Sequence, residues 1–212
     1  MYLPPAFSHE DVASQHAFMR SCGLGTLVTN GPAGLYASHV PFLLDDEGER
    51  GVLRAHLSRG NPHWKNFDAT AEALAIFSGA DFYVTPEWYA TKRETGKVVP
   101  TWNYIAVHAY GPLRVVDDAA WVRALVTRLT DRHEAGRDKP WAVADAPDDF
   151  IAAQLKGIVG IEIPISRLEG KWKMSQNRPA ADRAGVVTGL EAEGQKAAAA
   201  LVAQSDPAKG KS

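Results

Sequence analysis

Strand-like segments follow one another early in this chain, with short turns and no helical pattern between them. Residues 24–30 and 35–44 flank a GPAG turn, and Val52–Ser58 follows a charged turn. In Val52–Ser58 apolar residues alternate with polar ones, which is the period of a strand with one buried face. A doubly wound parallel sheet needs strands that alternate with helices. The observed order therefore favours an antiparallel sheet.

Helical patterns occur at the start, in the middle and at the end of the chain. Ser8 is expected to cap a helix that runs to about Ser21. Asp117 or Asp118 is expected to cap a second helix, whose apolar residues repeat at i+4 spacing. The predicted fold class is mainly β with added helices (α+β), arranged as an antiparallel barrel with peripheral helices.

Two segments differ in character from the strands and helices around them. Residues 86–101 are polar and irregular, and a loop of this length in a compact domain is usually functional or mobile. Residues 187–212 contain an Ala-rich helix and a tail, SDPAKGKS, that is expected to be disordered. We therefore predict one barrel domain in residues 1–186 and a C-terminal appendage in residues 187–212.

The composition is that of an ordinary globular protein and limits its partners. The 212 residues are 45% hydrophobic and carry a net charge of −2, so no overall basic excess attracts nucleic acid or anionic lipid. A single cysteine, Cys22, excludes an intramolecular disulfide and fits a reducing compartment. Neither a signal-peptide pattern nor a membrane-spanning stretch is evident, so we expect a cytoplasmic protein without membrane attachment.

Three segments combine cationic side chains, amides, hydroxyls and tryptophan, which a purely structural strand rarely carries together. They are AHLSRGNPHWKN at residues 55–66, GKVVPTWNYIAVHAYG at 96–111 and GKWKMSQNR at 170–178. This chemistry suits a ligand with a flat ring at one end and an anionic group at the other. A phosphorylated aromatic cofactor is the clearest candidate.

In the first segment, Ser58, Arg59 and Asn61 are candidates for holding a phosphate. Arginine supplies a forked donor, and the turn at Arg59–Gly60 supplies backbone N–H groups. The alternative is a solvated turn in which Arg59 pairs with a nearby acid.

The second and third segments are interpreted jointly. Trp102 and Trp172 could cover an aromatic ring, and its polar edges or a phosphate could be contacted by Lys173, Gln176, Asn177 and Arg178. The alternative is that the tryptophans lie in the core or in a subunit interface, and that Lys173 and Arg178 lie on a solvated face.

No metal or hydrolase site stands out. His56 and His63 lack a standard zinc spacing and have no cysteine partner. The G-x-S-x-G, H-E-x-x-H, G-x-G-x-x-G and P-loop motifs are absent. We assign no catalytic residue and no metal ligand, and a haem bound by one histidine stays open.

Five segments, in order, resemble the PaiB family of FMN-binding negative transcriptional regulators. They are HLSRGNPHW, YVTPEWY, GKVVPTWNYIAVHAYG, GIEI and LEGKWKMSQNR, and the resemblance extends from YLPPAF to GVVTGL. It implies an antiparallel split β-barrel that binds FMN, like those of pyridoxamine-phosphate oxidases and flavin reductases. It also implies a homodimer with FMN at the interface, and repression of protease-synthesis and sporulation-type genes in some members. This resemblance is the only reason to expect DNA as a binding partner.

Carried onto this chain, the resemblance implies three groups of flavin-contacting residues. The group expected along the phosphate and ribityl end comprises Arg54, His56, Ser58, Arg59 and Asn61. The group expected near the isoalloxazine ring or the partner subunit comprises Thr101, Trp102 and Asn103. The group expected to approach from the C-terminal strand comprises Lys173, Ser175, Gln176 and Asn177.

Two other functions stay open. An FMN-dependent oxidoreductase or flavin reductase would use the same barrel to position the flavin, with the cofactor carrying the hydride chemistry. A haem-binding or haem-degrading split barrel is the second alternative, because related barrels do this.

Overall fold

The structure, a computed structural model, describes residues 1–205 and divides them into two compact units. The first unit comprises residues 1–11, 78–107 and those described from Glu169 onward. The second unit comprises residues 12–77 and 108–168. The C-terminal residues 206–212, predicted to be disordered, lie outside the described part of the chain.

Ten strands form within residues 1–205, and the pairs with a defined register are antiparallel, as the sequence predicted. They are β1 Ser8–His9, β2 Gly25–Gly31, β3 Gly34–Val40, β4 Leu43–Asp45, β5 Val52–Ser58, β6 Glu72–Val84, β7 Thr101–Pro112, β8 Arg114–Val116, β9 Ile158–Pro164 and β10 Arg167–Lys173.

Six α-helices accompany the strands in the same described range. They are α1 Val12–Ser21, α2 Ala90–Thr95, α3 Ala119–Glu134, α4 Asp148–Leu155, α5 Ala180–Ala192 and α6 Lys196–Gln204. The predicted cap of α3 is confirmed, because the Asp118 carboxylate accepts a hydrogen bond from the backbone N–H of Trp121 at 2.7 Å.

Three local predictions are corrected by the structure. Ser8 does not cap α1; it lies in β1, where it pairs with Lys171 of β10. Residues 86–101 are not irregular throughout, because α2 forms within them and ends at Gly96, which has a φ of 66°. The Ala-rich tail forms two helices rather than one, separated at Gly194, which has a φ of 78°.

In the first unit, β1, β10, β7 and β6 are hydrogen-bonded in that order, and α5 packs against α2 and α6. Gly185 and Gly189 of α5 lie directly against Trp88, so that a Cβ atom at either position would overlap it. Asp182, only 1% exposed, accepts hydrogen bonds from the backbone N–H and the hydroxyl of Thr91. It thereby supplies the N-terminal cap that α2 lacks in its own sequence.

In the second unit, β6, β2 and β3 form one set of neighbouring strands, and β4, β5, β9 and β8 form another. Helix α3 packs on β5 and β9, where Gly160 leaves room for the ring of Trp121. Residues 35–44, expected as one strand, are divided at Pro41, since β3 ends at Val40 and β4 begins at Leu43.

The alternation predicted for β5 is confirmed. Leu53, Ala55 and Leu57 are buried, whereas Arg54 and His56 are half-buried and Ser58 is exposed. The polar face of β5 lies on the side that α3 covers, because Arg54 shares Asp45 with Arg128 of that helix. The surroundings of Arg54 and His56 are therefore set by α3 and its neighbours.

Candidate functional site

Two lysines of β10 form the centre of the candidate site in the first unit. Lys171 and Lys173 are two residues apart, so they share one face of the strand. The Lys173 ammonium donates to the Thr101 hydroxyl and to the Trp102 carbonyl, while Lys171 donates to the Tyr2 carbonyl at 2.9 Å. The ring of Tyr104 lies 5.2 Å from Lys171 Nζ and 5.9 Å from Lys173 Nζ.

The positive charges at this site have no carboxylate partner. Within residues 1–205, no ion pair involves Lys171, Lys173 or Arg178. Burial lowers the pKa of Lys173, and the nearby charges of Lys171 and Arg178 lower it further. Since like charges held together in a half-buried site are unfavourable, an anion bound among them would be stabilised.

A tight turn after β10 is held by amides and hydroxyls. Ser175 adopts a φ of 64°, the only positive φ outside glycine among the described residues. Its hydroxyl accepts a hydrogen bond from the buried Asn103 amide at 2.9 Å. The Gln176 side chain accepts from the backbone N–H of Met174 and donates to the carbonyl of Trp172. Asn177 follows on the exposed side of this turn.

Aromatic surface adjoins the lysines. Trp102 is 55% exposed and Tyr83 is 46% exposed, and their rings meet edge to face with centroids 5.9 Å apart. The Trp102 carbonyl accepts a hydrogen bond from Lys173. Exposed aromatic rings beside uncompensated cations are suited to a ligand that joins a planar ring system to an anionic group.

Arg178 completes the cationic group and is held by the first unit's own core. Its guanidinium lies over the buried Tyr89 ring, 4.7 Å from the centroid. Tyr89 directly precedes α2, the helix that Asp182 caps. Packing of α5 on this segment therefore fixes the surface on which Arg178 rests.

The predicted cations of the second unit are paired with carboxylates. Arg54 contacts Asp45 and Glu47, and its Nε lies 3.5 Å from Glu162. The hydrogen bonds that Arg54 donates to Glu47 raise the pKa of Arg54, and those to Asp45 add to the effect. The charge of Arg54 is thus already compensated within the fold.

Arg59 is likewise paired with a carboxylate, as expected if this segment is a solvated turn in which Arg59 pairs with a nearby acid. Its guanidinium contacts both oxygens of Asp117, with Nη1 3.1 Å from Oδ2. This pairing raises the pKa of Arg59 and lowers the pKa of Asp117. The backbone N–H of Arg59 is also used, because it donates to the Gly157 carbonyl at 2.8 Å.

Asn61 belongs to a buried hydrogen-bond network around His63. Its amide donates to the Ser38 hydroxyl at 2.9 Å and accepts from the backbone N–H of His63. The His63 ring, fully buried, contacts the hydroxyls of Ser38 and Thr29 at 2.9 and 2.8 Å. Burial lowers the pKa of His63, so the ring is neutral at pH 7. Asn61 therefore caps the short turn at Pro62–Trp64 and stabilises its packing.

The remaining predicted residues of the second unit are Ser58 and His56. The Ser58 hydroxyl accepts from the backbone N–H of Gly60 at 3.2 Å. Burial lowers the pKa of His56, and its Nδ1 atom is buried without a hydrogen-bond partner within residues 1–205.

The structure brings the predicted residues of the first unit together around Lys173. Thr101, Trp102, Asn103, Ser175 and Gln176 are linked to β10 or to its turn by hydrogen bonds. Flavin contacts for these residues, for Asn177 and for the second unit's Arg54, His56, Ser58, Arg59 and Asn61 stay predictions.

Sequence reasoning missed Lys171, Tyr104 and Tyr83 as members of the site. A signal for Lys171 and Tyr104 was present in the sequence. Each lies two positions from a predicted site residue of the same strand, Lys173 and Trp102 respectively, and so shares a strand face with it. Tyr83 carries no local signal, because its contact with Trp102 joins separate strands.

Within residues 1–205, no group of three or more His, Cys, Asp or Glu side chains is arranged to hold a metal ion. None of the helices described there is long and apolar enough to cross a membrane.

Comparison with solved structures supports the fold. A conserved hypothetical protein of Mycobacterium tuberculosis superimposes with a TM-score of 0.59 at 14% identity, covering 84% of this chain and 94% of its own. The FAD and heme binding protein of Mycobacterium smegmatis gives a TM-score of 0.55 at 16% identity, covering 78% and 73%. At such identities the likeness concerns the fold alone, and it confirms the predicted α+β antiparallel split barrel with peripheral helices.

Sequence relatives match over nearly the whole chain. An uncharacterized protein of Emericella nidulans is 36% identical over 227 residues, covering 90% of each chain. The protease synthase and sporulation protein PAI 2 of Bacillus subtilis is 30% identical over 193 residues, covering 91% of this chain and 90% of its own. The family described as "Putative FMN-binding domain" matches residues 1–167. The predicted resemblance to the PaiB family is confirmed, since PAI 2 is a relative of this chain. The chain therefore belongs to this FMN-binding family.

Proposed function

We propose that this protein binds FMN through the cationic and aromatic surface of its first unit. The observation that carries the proposal is the group formed by Lys171, Lys173 and Arg178, three cations without a carboxylate partner in residues 1–205. Membership of the FMN-binding family supports a flavin as the ligand.

The donor set fits the two ends of FMN. A phosphate needs cationic hydrogen-bond donors, which the lysines and Arg178 offer. A tricyclic ring needs flat apolar surface, which the exposed rings of Trp102 and Tyr83 offer. Flavin bound here would supply redox chemistry, while the residues of the chain bind and orient it.

Titration with three flavins tests this assignment. The visible spectrum of the purified protein comes first, and any released chromophore is identified by chromatography after denaturation. Quenching of flavin fluorescence is then followed for FMN, FAD and riboflavin. We expect FMN to bind at least about tenfold more tightly than riboflavin, since riboflavin lacks the phosphate that the cations would hold. Equal affinities for FMN and riboflavin would refute a phosphate site among the cations, and absence of quenching would refute flavin binding.

We propose that the protein acts as a homodimer with FMN at the interface, as the resemblance implies. Large apolar side chains left exposed in each unit support this, among them Trp102 and Tyr83 in the first, and Leu35 and Tyr36 of β3 in the second. Sedimentation equilibrium tests it, with a monomer mass at micromolar concentration as the contrary result.

A regulatory output is the second candidate function, supported by the full-length relationship to the sporulation protein of Bacillus subtilis. An electrophoretic mobility assay with genomic fragments, run at low salt with and without FMN, tests direct DNA binding. FMN-dependent retardation would support a flavin-controlled regulator, and no retardation in either state would count against direct DNA contact. The oxidoreductase and haem alternatives stay predictions.

A further inference from the structure

A cavity lies in the second unit beside α3. It has a volume of about 340 Å³, within the range of small-molecule sites. One wall is apolar and is formed by Val126 and Leu129 of α3. The indole of Trp141, 46% exposed, lines another side. Such walls offer flat dispersion contacts rather than ionic ones.

The polar side chains that line this cavity are few, namely those of His56, Thr130, His133 and Glu134. His56 of β5 lines it, and the Nδ1 atom of this ring is buried without a hydrogen-bond partner within residues 1–205. A buried polar atom without a partner is unfavourable, so a ligand that supplied one would be stabilised. Because burial lowers the pKa of His56, the ring is a neutral donor and acceptor at pH 7.

The one carboxylate of the cavity is already engaged. Glu134 Oε1 lies 3.0 Å from Arg137 Nε, and its Oε2 accepts a hydrogen bond from the backbone N–H of Trp141 at 3.1 Å. No lysine or arginine lines the cavity. Neither an anion nor a cation would find an uncompensated counter-charge there.

We propose that this cavity binds a small, flat, uncharged heteroaromatic molecule, held against Trp141 and hydrogen-bonded to His56. The proposal does not depend on flavin binding, because the cavity offers no cation for a phosphate. The neutral imidazole selects a ligand with a ring nitrogen or an N–H group. The apolar wall of α3 selects a planar hydrocarbon framework.

The test uses 5-fluorobenzimidazole as the probe, at about pH 8 where it is uncharged, with the full-length protein before and after FMN is added. Binding is followed by broadening of its fluorine resonance. We expect a saturable interaction with a Kd below about 1 mM. No saturable broadening would overturn the proposal, and so would displacement of the probe by FMN, since that would place it on the flavin surface.

Three variants locate the probe. His56→Phe preserves ring volume but removes the hydrogen bond, and should weaken binding about fivefold or more. Val126→Phe fills the cavity from the half-buried side of α3 and should abolish binding even if His56→Phe folds poorly. Phe150→Ala removes an exposed aromatic ring that does not line the cavity and should leave the affinity unchanged. Equal affinity in all three folded variants, checked by circular dichroism, would overturn the assignment.

Discussion

The cations predicted to hold a phosphate differ between the two units in whether a carboxylate of the fold pairs with them. In the second unit, Arg54 and Arg59 are matched by acids, and this pairing raises the pKa of each arginine. In the first unit, Lys173 lies beside further cations and has a lowered pKa. All three residues suited a phosphate when only the sequence was considered. The difference shows that a cationic side chain attracts an anion where no carboxylate of the fold already neutralises it, and that the residue type alone does not decide this.

The largest effect that would test this comparison is expected from Lys173→Met. Methionine keeps the length of the side chain but removes the charge, so FMN affinity should fall about ten- to a hundredfold. Fluorescence quenching measures it. Lys65→Met, at an exposed lysine of the second unit, is the matched control and should leave FMN affinity unchanged. If Lys173→Met bound FMN like the unmodified protein, the uncompensated cations would not be the phosphate site.

Arg54→Met should affect folding instead of flavin binding. Removing this half-buried guanidinium leaves Glu47 and Glu162 without a main partner, so the free energy of unfolding should fall by about 1–2 kcal/mol. Urea denaturation measures the change. Arg114→Met, at a more exposed arginine that also faces Glu162, is the control and should lower stability less. An unchanged urea midpoint for Arg54→Met would show that its ion pairs contribute nothing.

The lowered pKa of Lys173 predicts pH effects of opposite sign on affinity and on stability. FMN affinity should fall about three- to tenfold as the pH rises toward 10, because the neutral lysine no longer attracts a phosphate. Between the folded and unfolded pKa values the unfolded chain binds more protons at this residue, so its contribution to the stability of the flavin-free protein should rise with pH. Lys173→Arg should keep its FMN affinity to higher pH. Constant affinity of the unmodified protein up to pH 10 would contradict the role of Lys173.

Arg59→Met should have the smallest effect. The exposed ion pair with Asp117 is already satisfied, so FMN affinity should change less than about twofold and the urea midpoint should not move measurably. A loss as large as that of Lys173→Met would break the comparison. It would mean that phosphate displaces Asp117, and that the role first implied for Arg59 by the family resemblance is correct.

Local sequence patterns predicted most of the strands and the central helix. The alternation in β5 and the Asp118 cap of α3 each depend on residues within a few positions of one another. Ser8 was assigned wrongly because its partner is Lys171 in β10, far along the chain. Helix α2 was missed for the same reason, since Asp182, 91 residues from Thr91, supplies its cap.

The candidate site divides in a similar way. The sequence indicated the residue types around Lys173, and the structure brings them together by hydrogen bonds. The sequence could not indicate that Asp117, 58 residues away, would pair with Arg59, or that Tyr83 would lie against Trp102. Pairing of charges between distant segments leaves no periodic signal in a single sequence.

The register of β5 with β9 has a consequence for synthesis of the chain. Ser58 pairs with Ile158, 100 residues further along, and Val52 pairs with Pro164. At about 5–20 residues per second, the ribosome needs roughly 5–20 s to make β9 after β5 has been made. During that interval Leu53, Ala55 and Leu57 lack their native strand partner, and the open edge of β5 can pair with other nascent chains. The hairpin of β4 and β5 is made before β9. The yield of folded protein in a host cell should therefore depend on preventing this hairpin from pairing with other nascent chains until residue 164 has emerged from the ribosome.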